Sequence, residues 1–389
     1  MVLPSLPPEI ITAIIRQTNV EYGGRSNQAR DSAACCLVSK CFLQFAREAL
    51  YLDLYLSYEH SNTETRRRRV SQLLATLTSS PHLAALVRRL GVAVSASGDD
   101  LDEIEKQVGA TLEACRSVLS LSLWLPTSLA DRPTPPTVER SLQDIGGQLT
   151  SFSLYGKFWT LPMDDLFSSF GALGSLQIDT GALGTLRSSP LFQLRKFSIS
   201  LENEGVEFIL PHLLLKHSQS TLVKLELDLD DLPTAPALNL SSFVALRELD
   251  ITCDLGVWQR NNITEIMKLL KTRPTLQQLQ LRHPLDFVHP PPRLESTNLL
   301  QLLPPSLISF GLCSPPLSTE YILDALADTR SLLGLKRLAL DYHAVQDPDE
   351  DDDTFPDVRE LSELEEIKEA AAKRGIMVDW PGLEELEAE

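Results

Sequence analysis

The side chains best suited to chemistry in this chain are Trp124 and Tyr155, together with Asp179, Glu226, Asp228 and Asp250. The chemistry they offer is recognition: neighbouring aromatics anchor a partner and like charges steer one. Groups for bond-making are not found at recognisable spacings. The chain holds no Gly-x-Ser-x-Gly elbow, no Gly-Lys-Ser/Thr phosphate loop and no His-Glu-x-x-His helix. Gly171-Ala-Leu-Gly-Ser-Leu and Gly181-Ala-Leu-Gly-Thr-Leu are glycine-rich, yet neither joins a strand to a long helix, so both read as tight repeats. The seven histidines are scattered, and Cys35, Cys36 and Cys41 lack a second pair at zinc-like spacing. The expectation is therefore no catalytic residue, no metal and no cofactor.

What must position these side chains is a repeat, apolar-x-x-apolar-x-apolar. It stands at Val118/Leu121/Leu123, Leu149/Phe152/Leu154, Leu173/Leu176/Ile178, Leu194/Phe197/Ile199, Leu222/Leu225/Leu227, Leu246/Leu249/Ile251, Leu276/Leu279/Leu281, Leu307/Phe310/Leu312 and Leu335/Leu338/Leu340. A weaker copy is Val87/Leu90/Val92. The steps between the nine main copies are 31, 24, 21, 28, 24, 30, 31 and 28 residues, averaging about 27, at or just above the leucine-rich range. The fourth and sixth positions differ by two, so in a strand they share one face while the fifth points to the other. One strand cannot bury such a face alone. Neighbours must stack, and connections of this length between parallel strands are normally crossover helices.

On the opposite face, the fifth positions read Ser122, Ser153, Gln177, Ser198, Glu226, Asp250, Gln280, Gly311 and Ala339. The seventh read Trp124, Tyr155, Asp179, Ser200, Asp228, Thr252, Arg282, Cys313 and Asp341. This row set is either a recognition surface or the polar face that any solvated strand presents.

Helical patterns fill the gaps. Leu101, Ile104, Val108 and Leu112 are spaced for a helix before the first main strand, and Val138, Leu142 and Ile145 before the second, ending at Gly146-Gly147. Residues 206–217 and 263–272 read as helices, the latter with Asn262 at its N-cap and Glu265 three residues on. The Asn or Cys that leucine-rich repeats carry three residues beyond the strand is missing; Pro126, Lys157, Gly181, Glu202, Asp230, Asp254, Pro284, Pro315 and His343 stand there instead. The expectation is an irregular arc whose sheet is more even than its outer helices.

Of 389 residues, 43% are hydrophobic and 23% charged, enough for an ample core. The net charge of −18 is concentrated: residues 341–389 hold 18 carboxylates against 4 basic side chains. Nucleic-acid backbones and anionic membranes require a concentrated basic surface, so neither is an expected partner. Six cysteines without a paired framework point to a reducing compartment. The start, Met1-Val-Leu-Pro-Ser-Leu-Pro-Pro-Glu, lacks the basic and apolar regions of a signal peptide, and no apolar run is long enough to span a bilayer.

The first fifty-six residues differ from the repeats. Leu6-Pro-Pro-Glu-Ile-Ile-Thr-Ala-Ile-Ile15 places prolines in a first helical turn, followed by isoleucines at helical spacing. A polar loop leads to Asp31–Ala46, helical with Leu37, Cys41 and Phe45 on one face, and then to Ala49–Leu56 with the alternation of a strand. Leu6-Pro-Pro-Glu-Ile, Leu37-Val-Ser-Lys with Phe42, and Leu50-Tyr51 before a strand resemble the F-box of substrate receptors in cullin-RING ubiquitin ligases, especially fungal F-box-plus-repeat proteins. The resemblance implies a helical bundle that docks on a Skp-type adaptor, and through it on a cullin, with Leu6, Pro7, Ile10, Ile14, Leu37 and Val38 touching the adaptor or ordering the bundle. It implies cytoplasmic or nuclear location. The alternative is that residues 5–50 cap the open end of a repeat scaffold with no ligase link.

Residues 57–86 link the two parts through a helix with Val70, Leu73, Leu74 and Leu77 on one face and Arg66-Arg-Arg-Arg69 at its start, a solvated basic run. The chain closes with an acidic loop, 347–353, and a cap over 361–389. In that cap Leu361, Leu364, Ile367 and Ala371 form a helix ended by Gly375, and Ile376–Trp380 a last strand. The fold expected is α/β: an F-box-like bundle over 1–56, then a leucine-rich-repeat-like solenoid over 87–389 with its parallel strands on the concave face. Its function is expected to be substrate recognition, with Trp124, Tyr155, Asp179, Glu226, Asp228 and Asp250 meeting a protein target.

Overall fold

The structure, a computed structural model, describes residues 34, 40–58, 63–94, 101–125, 134–156, 163–179, 186–201, 213–229, 240–253, 270–271, 274–282, 300–313, 319–328, 332–341 and 358–379. It comprises two compact units, Met1–Phe192 and Gln193–Glu389. Both are α/β, and in both the strands are parallel and follow one another in chain order. No helix among the described residues is long and apolar enough to cross a membrane.

In the first unit, helix α1 (Lys40–Leu52) runs directly into strand β1 (Asp53–Tyr58). Strands β2 (Arg89–Val94), β3 (Ser120–Trp124), β4 (Ser151–Tyr155) and β5 (Ser175–Asp179) follow. Register aligns the apolar positions across the sheet: Leu54, Leu90, Leu121, Phe152 and Leu176 form one row, and Leu56, Val92, Leu123, Leu154 and Ile178 the next. Helix α2 (Thr63–Ser79) and the single turn α3 (Pro81–Ala84) cross from β1 to β2. Helices α4 (Leu101–Ala114), α5 (Pro136–Gly146) and α6 (Met163–Ser169) make the next three crossings. Leu101, Ile104, Val108 and Leu112 are all buried, as are Val138, Leu142 and Ile145, so the helical spacing in the sequence becomes the layer that covers the apolar rows. A run of rings closes the end of this core: Phe152 meets Phe170 at 5.1 Å, Phe170 meets Phe167 at 5.9 Å, and Phe167 meets Phe192 at 5.7 Å.

Two details differ from the sequence reading. Residues 49–52, read as the start of a strand, complete α1, because Asp53 is the first residue for which β2 supplies a partner, Arg89. Ala46, Ala49 and Leu50 lie at helical spacing, and Ala46 is fully buried. The helix within 57–86 is the first crossover, since β1 before it and β2 after it pair along six residues.

The second unit carries β6 (Lys196–Leu201), β7 (Lys224–Leu229), β8 (Glu248–Cys253), β9 (Gln278–Arg282), β10 (Ser309–Cys313), β11 (Arg337–Asp341) and β12 (Met377–Asp379). Phe197, Leu225, Leu249, Leu279, Phe310, Leu338 and Val378 align in one row. The crossings are described in part. Between β7 and β8 the described segment is a three-residue 3-10 turn, Leu240–Ser242, and between β9 and β10 another, Leu300–Leu302. Helices α7 (Thr319–Ala327) and α8 (Val358–Ala372) precede β11 and β12. The end of α8 is a Schellman motif: Ile376 N–H donates to the Ala371 carbonyl at 3.0 Å and Gly375 N–H to Ala372 at 2.9 Å, with Gly375 at φ 72°. The expected helices over 206–217 and 263–272 fall mostly outside the described residues, which include helical turns at 213–215 and 270–271.

The first, fourth and sixth positions of the ten repeats, from Val87 to Leu340, are no more than 6% exposed. At the entry to each strand the backbone makes a recurring bond pattern. One carbonyl accepts two successive N–H groups of the next repeat: Arg88 from Leu119 and Ser120, Leu119 from Thr150 and Ser151, Val223 from Arg247 and Glu248, Gln277 from Ile308 and Ser309, all between 2.8 and 3.1 Å. These bonds satisfy strand-entry backbone that is otherwise costly to bury.

Candidate functional site

The face of each sheet opposite the apolar rows carries the predicted target-binding side chains. In the first unit register places Tyr55, Gly91, Ser122, Ser153 and Gln177 in one row, and Ser57, Ala93, Trp124 and Tyr155 in the next. Trp124 and Tyr155 stack with ring centres 4.9 Å apart and planes 2° from parallel. That separation is close to the spacing of neighbouring strands, so adjacent positions in a parallel ladder impose the stack. Tyr55, 44% exposed, meets Trp124 from the other side at 5.7 Å and 69°. The two rings share a floor at Gly91, where a Cβ would stand 2.6 Å from Tyr55 Cδ2 and 3.3 Å from Trp124 Cζ3. The result is a row of three rings rooted on three strands, each in contact with its neighbour.

Asp179, at the end of β5, receives the Gly156 N–H on Oδ2 at 3.2 Å. Gly156 has φ 89° and lies so close to the Leu125 carbonyl that a Cβ would overlap it. Asp179 thus holds the chain as it leaves β4, beside Tyr155, and has a structural task whatever else it meets.

In the second unit, Ser198, Glu226, Asp250 and Gln280 form one row and Ser200, Asp228, Thr252 and Arg282 the next. The structure brings Glu226, Asp228 and Asp250 onto adjacent strands but supplies each with a partner. Lys224 Nζ lies 2.5 Å from Glu226, the Ser200 hydroxyl donates to Asp228 at 3.1 Å, and Arg282 donates to Asp250 Oδ2 at 2.8 Å and to Gln280 at 3.0 Å. Asp250 is 17% exposed at its side chain, and its Oδ1 is buried with no hydrogen-bond partner. Burial pushes its carboxyl above the ordinary range, Glu226 adds to that, and Arg282 and Lys224 oppose it. Lys224 is held above its usual value by the hydrogen bond with Glu226 and by the charges of Glu226, Glu248 and Asp250, against the effect of burial. This face is a mixed-charge network, in which bases offset the acids that the sequence displays as a block.

The adaptor-binding expectations, Leu6, Pro7, Ile10, Ile14, Leu37 and Val38, lie outside the described residues, as does the acidic run 347–353. Among the described residues no group of three or more His, Cys, Asp and Glu side chains is arranged to hold a metal. Cys115 is fully buried, and burial pushes its thiol up to about 11, a core side chain. Sequence reasoning missed Tyr55, Gly91, Lys224 and Arg282. Tyr55 was within reach, because Tyr51/Leu54/Leu56 fits the repeat pattern and makes it a fifth position. The pairing of Arg282 with Asp250 spans 32 residues and carries no local signature. No family model matches the chain, and no curated protein matches it significantly.

Proposed function

We propose that this chain is the substrate-recognition subunit of a ubiquitin ligase, binding a protein target through its exposed strand face and a Skp-type adaptor, and through it a cullin, through the F-box-like residues near its N-terminus. The observation that supports target binding is the Tyr55–Trp124–Tyr155 row, three ordered rings standing on strands whose other face is filled by core. Rigid, partly exposed aromatics supply much contact area at low entropic cost, which is the make-up of an interface anchor. The ligase link rests on the resemblance of Leu6-Pro-Pro-Glu-Ile and Leu37-Val-Ser-Lys to an F-box. The protein itself performs no transfer in this reading; it supplies proximity to subunits that do.

A second reading, a repeat scaffold without a ligase, has one observation in its favour. Residues 40–58 are built into the sheet as its first repeat unit, α1 leading to β1, which is the position of an end cap.

Calorimetry of the purified chain with a Skp-type adaptor separates the two. The ligase reading expects saturable binding, lost in a Leu6→Asp/Leu37→Asp variant whose circular dichroism matches wild type. No binding by folded wild-type chain, or equal binding by the variant, overturns it in favour of the scaffold.

A further inference from the structure

We infer that the strand-entry edge of β6 to β8 takes an acidic segment of the protein target, a short run of aspartate and glutamate side chains, on the cations Arg195, Lys196, Lys224 and Arg247. This deepens the recognition reading and rests on it. Lys196 and Lys224 hold the third repeat position, on the face that carries Ser198 and Glu226, and register sets them directly opposite each other on neighbouring strands. Like charges so placed repel. At other strand entries a base in this position is met by a carboxylate from the adjoining strand: Arg89 by its register partner Asp53 at 3.3 Å, and Arg337 by Asp379. Lys224 has Glu226 at 2.5 Å and Glu248 as its register partner on β8. Lys196 has a lysine as its register partner on β7.

Arg195 and Arg247 extend the patch by one residue, at the second repeat position. The Arg195 carbonyl accepts the N–H groups of Val223 and Lys224 at 2.8 and 3.0 Å, and the Arg247 N–H donates to the Val223 carbonyl at 2.9 Å. These bonds order three adjacent strand entries, so the cations stand on a fixed backbone across two strand spacings, about 10 Å. Arg195, Lys196 and Arg247 are exposed, and among the described residues none of their three side chains makes a hydrogen bond or an ion pair. The second and third positions of β6 to β8 thus hold four cations against one carboxylate, Glu248, in a chain of net charge −18. A local reversal of sign that opposes strand pairing suits an anion from outside. A few carboxylates span the patch alone, whereas a long polyanion would also meet the negative charge around it.

The test uses the full chain with the capped peptide Ac-Ser-Glu-Asp-Glu-Asp-Ser-NH2 and its amide counterpart Ac-Ser-Gln-Asn-Gln-Asn-Ser-NH2. Binding is followed by the backbone amide resonances of Lys196, Lys224 and Arg247. The acidic peptide is expected to shift them saturably, at least about tenfold more tightly than the amide peptide, and to weaken as salt rises. Lys196→Gln and Arg247→Gln are each expected to weaken it by about 2- to 5-fold, and Lys196→Arg to retain it. Arg69→Gln/Arg140→Gln, which removes two exposed bases from helices of the first unit, is expected to change nothing. Equal binding of both peptides, or a loss in the helix variant and none in Lys196→Gln, would overturn the site. Tripolyphosphate shifting these resonances while the acidic peptide does not would overturn it in favour of a phosphate ligand. No shift with any probe would also overturn it, while adaptor binding would still decide the ligase reading separately.

Discussion

The ring of Tyr55 lies against the bare backbone of Gly91, so closely that a Cβ there would come within 2.6 Å of Tyr55 Cδ2. Tyr55 is at the sheet's exposed face and can swing away, so Gly91→Ala is expected to displace the ring rather than break the strand. Stability should change by less than about 1 kcal/mol, because alanine is the better strand residue while an aromatic pair is lost. The near-ultraviolet circular dichroism and indole resonance of Trp124 should change. An unaltered Trp124 signal would show that the edge contact does not hold the rings.

Asp250 sets a pH dependence. Its folded carboxyl is held above the ordinary value, so the folded state binds this proton more tightly than the unfolded state. The stability it contributes is therefore present below the unfolded carboxylate range and is lost as pH rises through the raised value. Asp250→Asn removes that loss. At pH 7 the variant is expected within about 1 kcal/mol of wild type or above it, since Arg282 is 46% exposed and loses little with its partner. Thermal unfolding between pH 4 and 7 should be flatter in the variant. A variant much less stable than wild type at pH 7 would mean that the ion pair outweighs the burial.

Ser218 is fully buried and accepts the Leu194 N–H at 2.9 Å on its hydroxyl oxygen, while Thr221 donates to the Leu194 carbonyl at 2.9 Å. Ser218→Ala leaves a buried N–H without an acceptor and is expected to cost about 1–3 kcal/mol in denaturant unfolding. Ser218→Thr, which restores the hydroxyl, should recover part of it. A neutral Ser218→Ala would show that Leu194 is hydrated.

Arg374 closes the C-terminus of α7: one guanidinium nitrogen donates to the carbonyls of Leu326 and Asp328 at 3.2 and 3.1 Å, and more weakly to Ala325 at 3.4 Å. A cation there meets orphan carbonyls and the negative end of the helix. Arg374→Met keeps the stem and removes the charge; a loss of about 1–2 kcal/mol is expected. Hydrogen exchange should quicken at the α7 amides and not in the first unit. Uniform quickening would contradict a local cap.

The repeat strands were legible because their signal is local. Three apolar positions at fixed spacing, such as Leu222, Leu225 and Leu227, report a buried face without reference to any partner. Helix α4 was legible for the same reason, its four spaced apolar residues all buried. The boundary between α1 and β1 was not, since Ala49 to Leu52 suit either period and pairing with β2 decides. In the candidate site, Trp124 and Tyr155 followed from counting positions, while the neutralising of Asp250 and Glu226 depends on bases whose reach a sequence does not state. The missing Asn ladder suggested irregular repeats. Among the described residues the crossing helices vary, from 17 residues in α2 to 7 in α6. The strand entries nonetheless repeat, because main-chain atoms make those bonds and leave no mark on residue type.

That last property has a consequence for how such a surface changes over generations. Registry at the described strand entries is written largely in carbonyls and amides, as where Val223 receives Arg247 and Glu248, with a side chain adding to it at Thr150, whose hydroxyl also donates to the Leu119 carbonyl. Positions such as Ser122, Ser153 or Thr252, whose side chains take no part in the strand-entry bonds, can be rewritten one at a time with those bonds intact. The fold behaves as a fixed typesetting frame: a new specificity requires only new characters, and a mutation on the exposed rows is tried out at little risk to the chain that carries it.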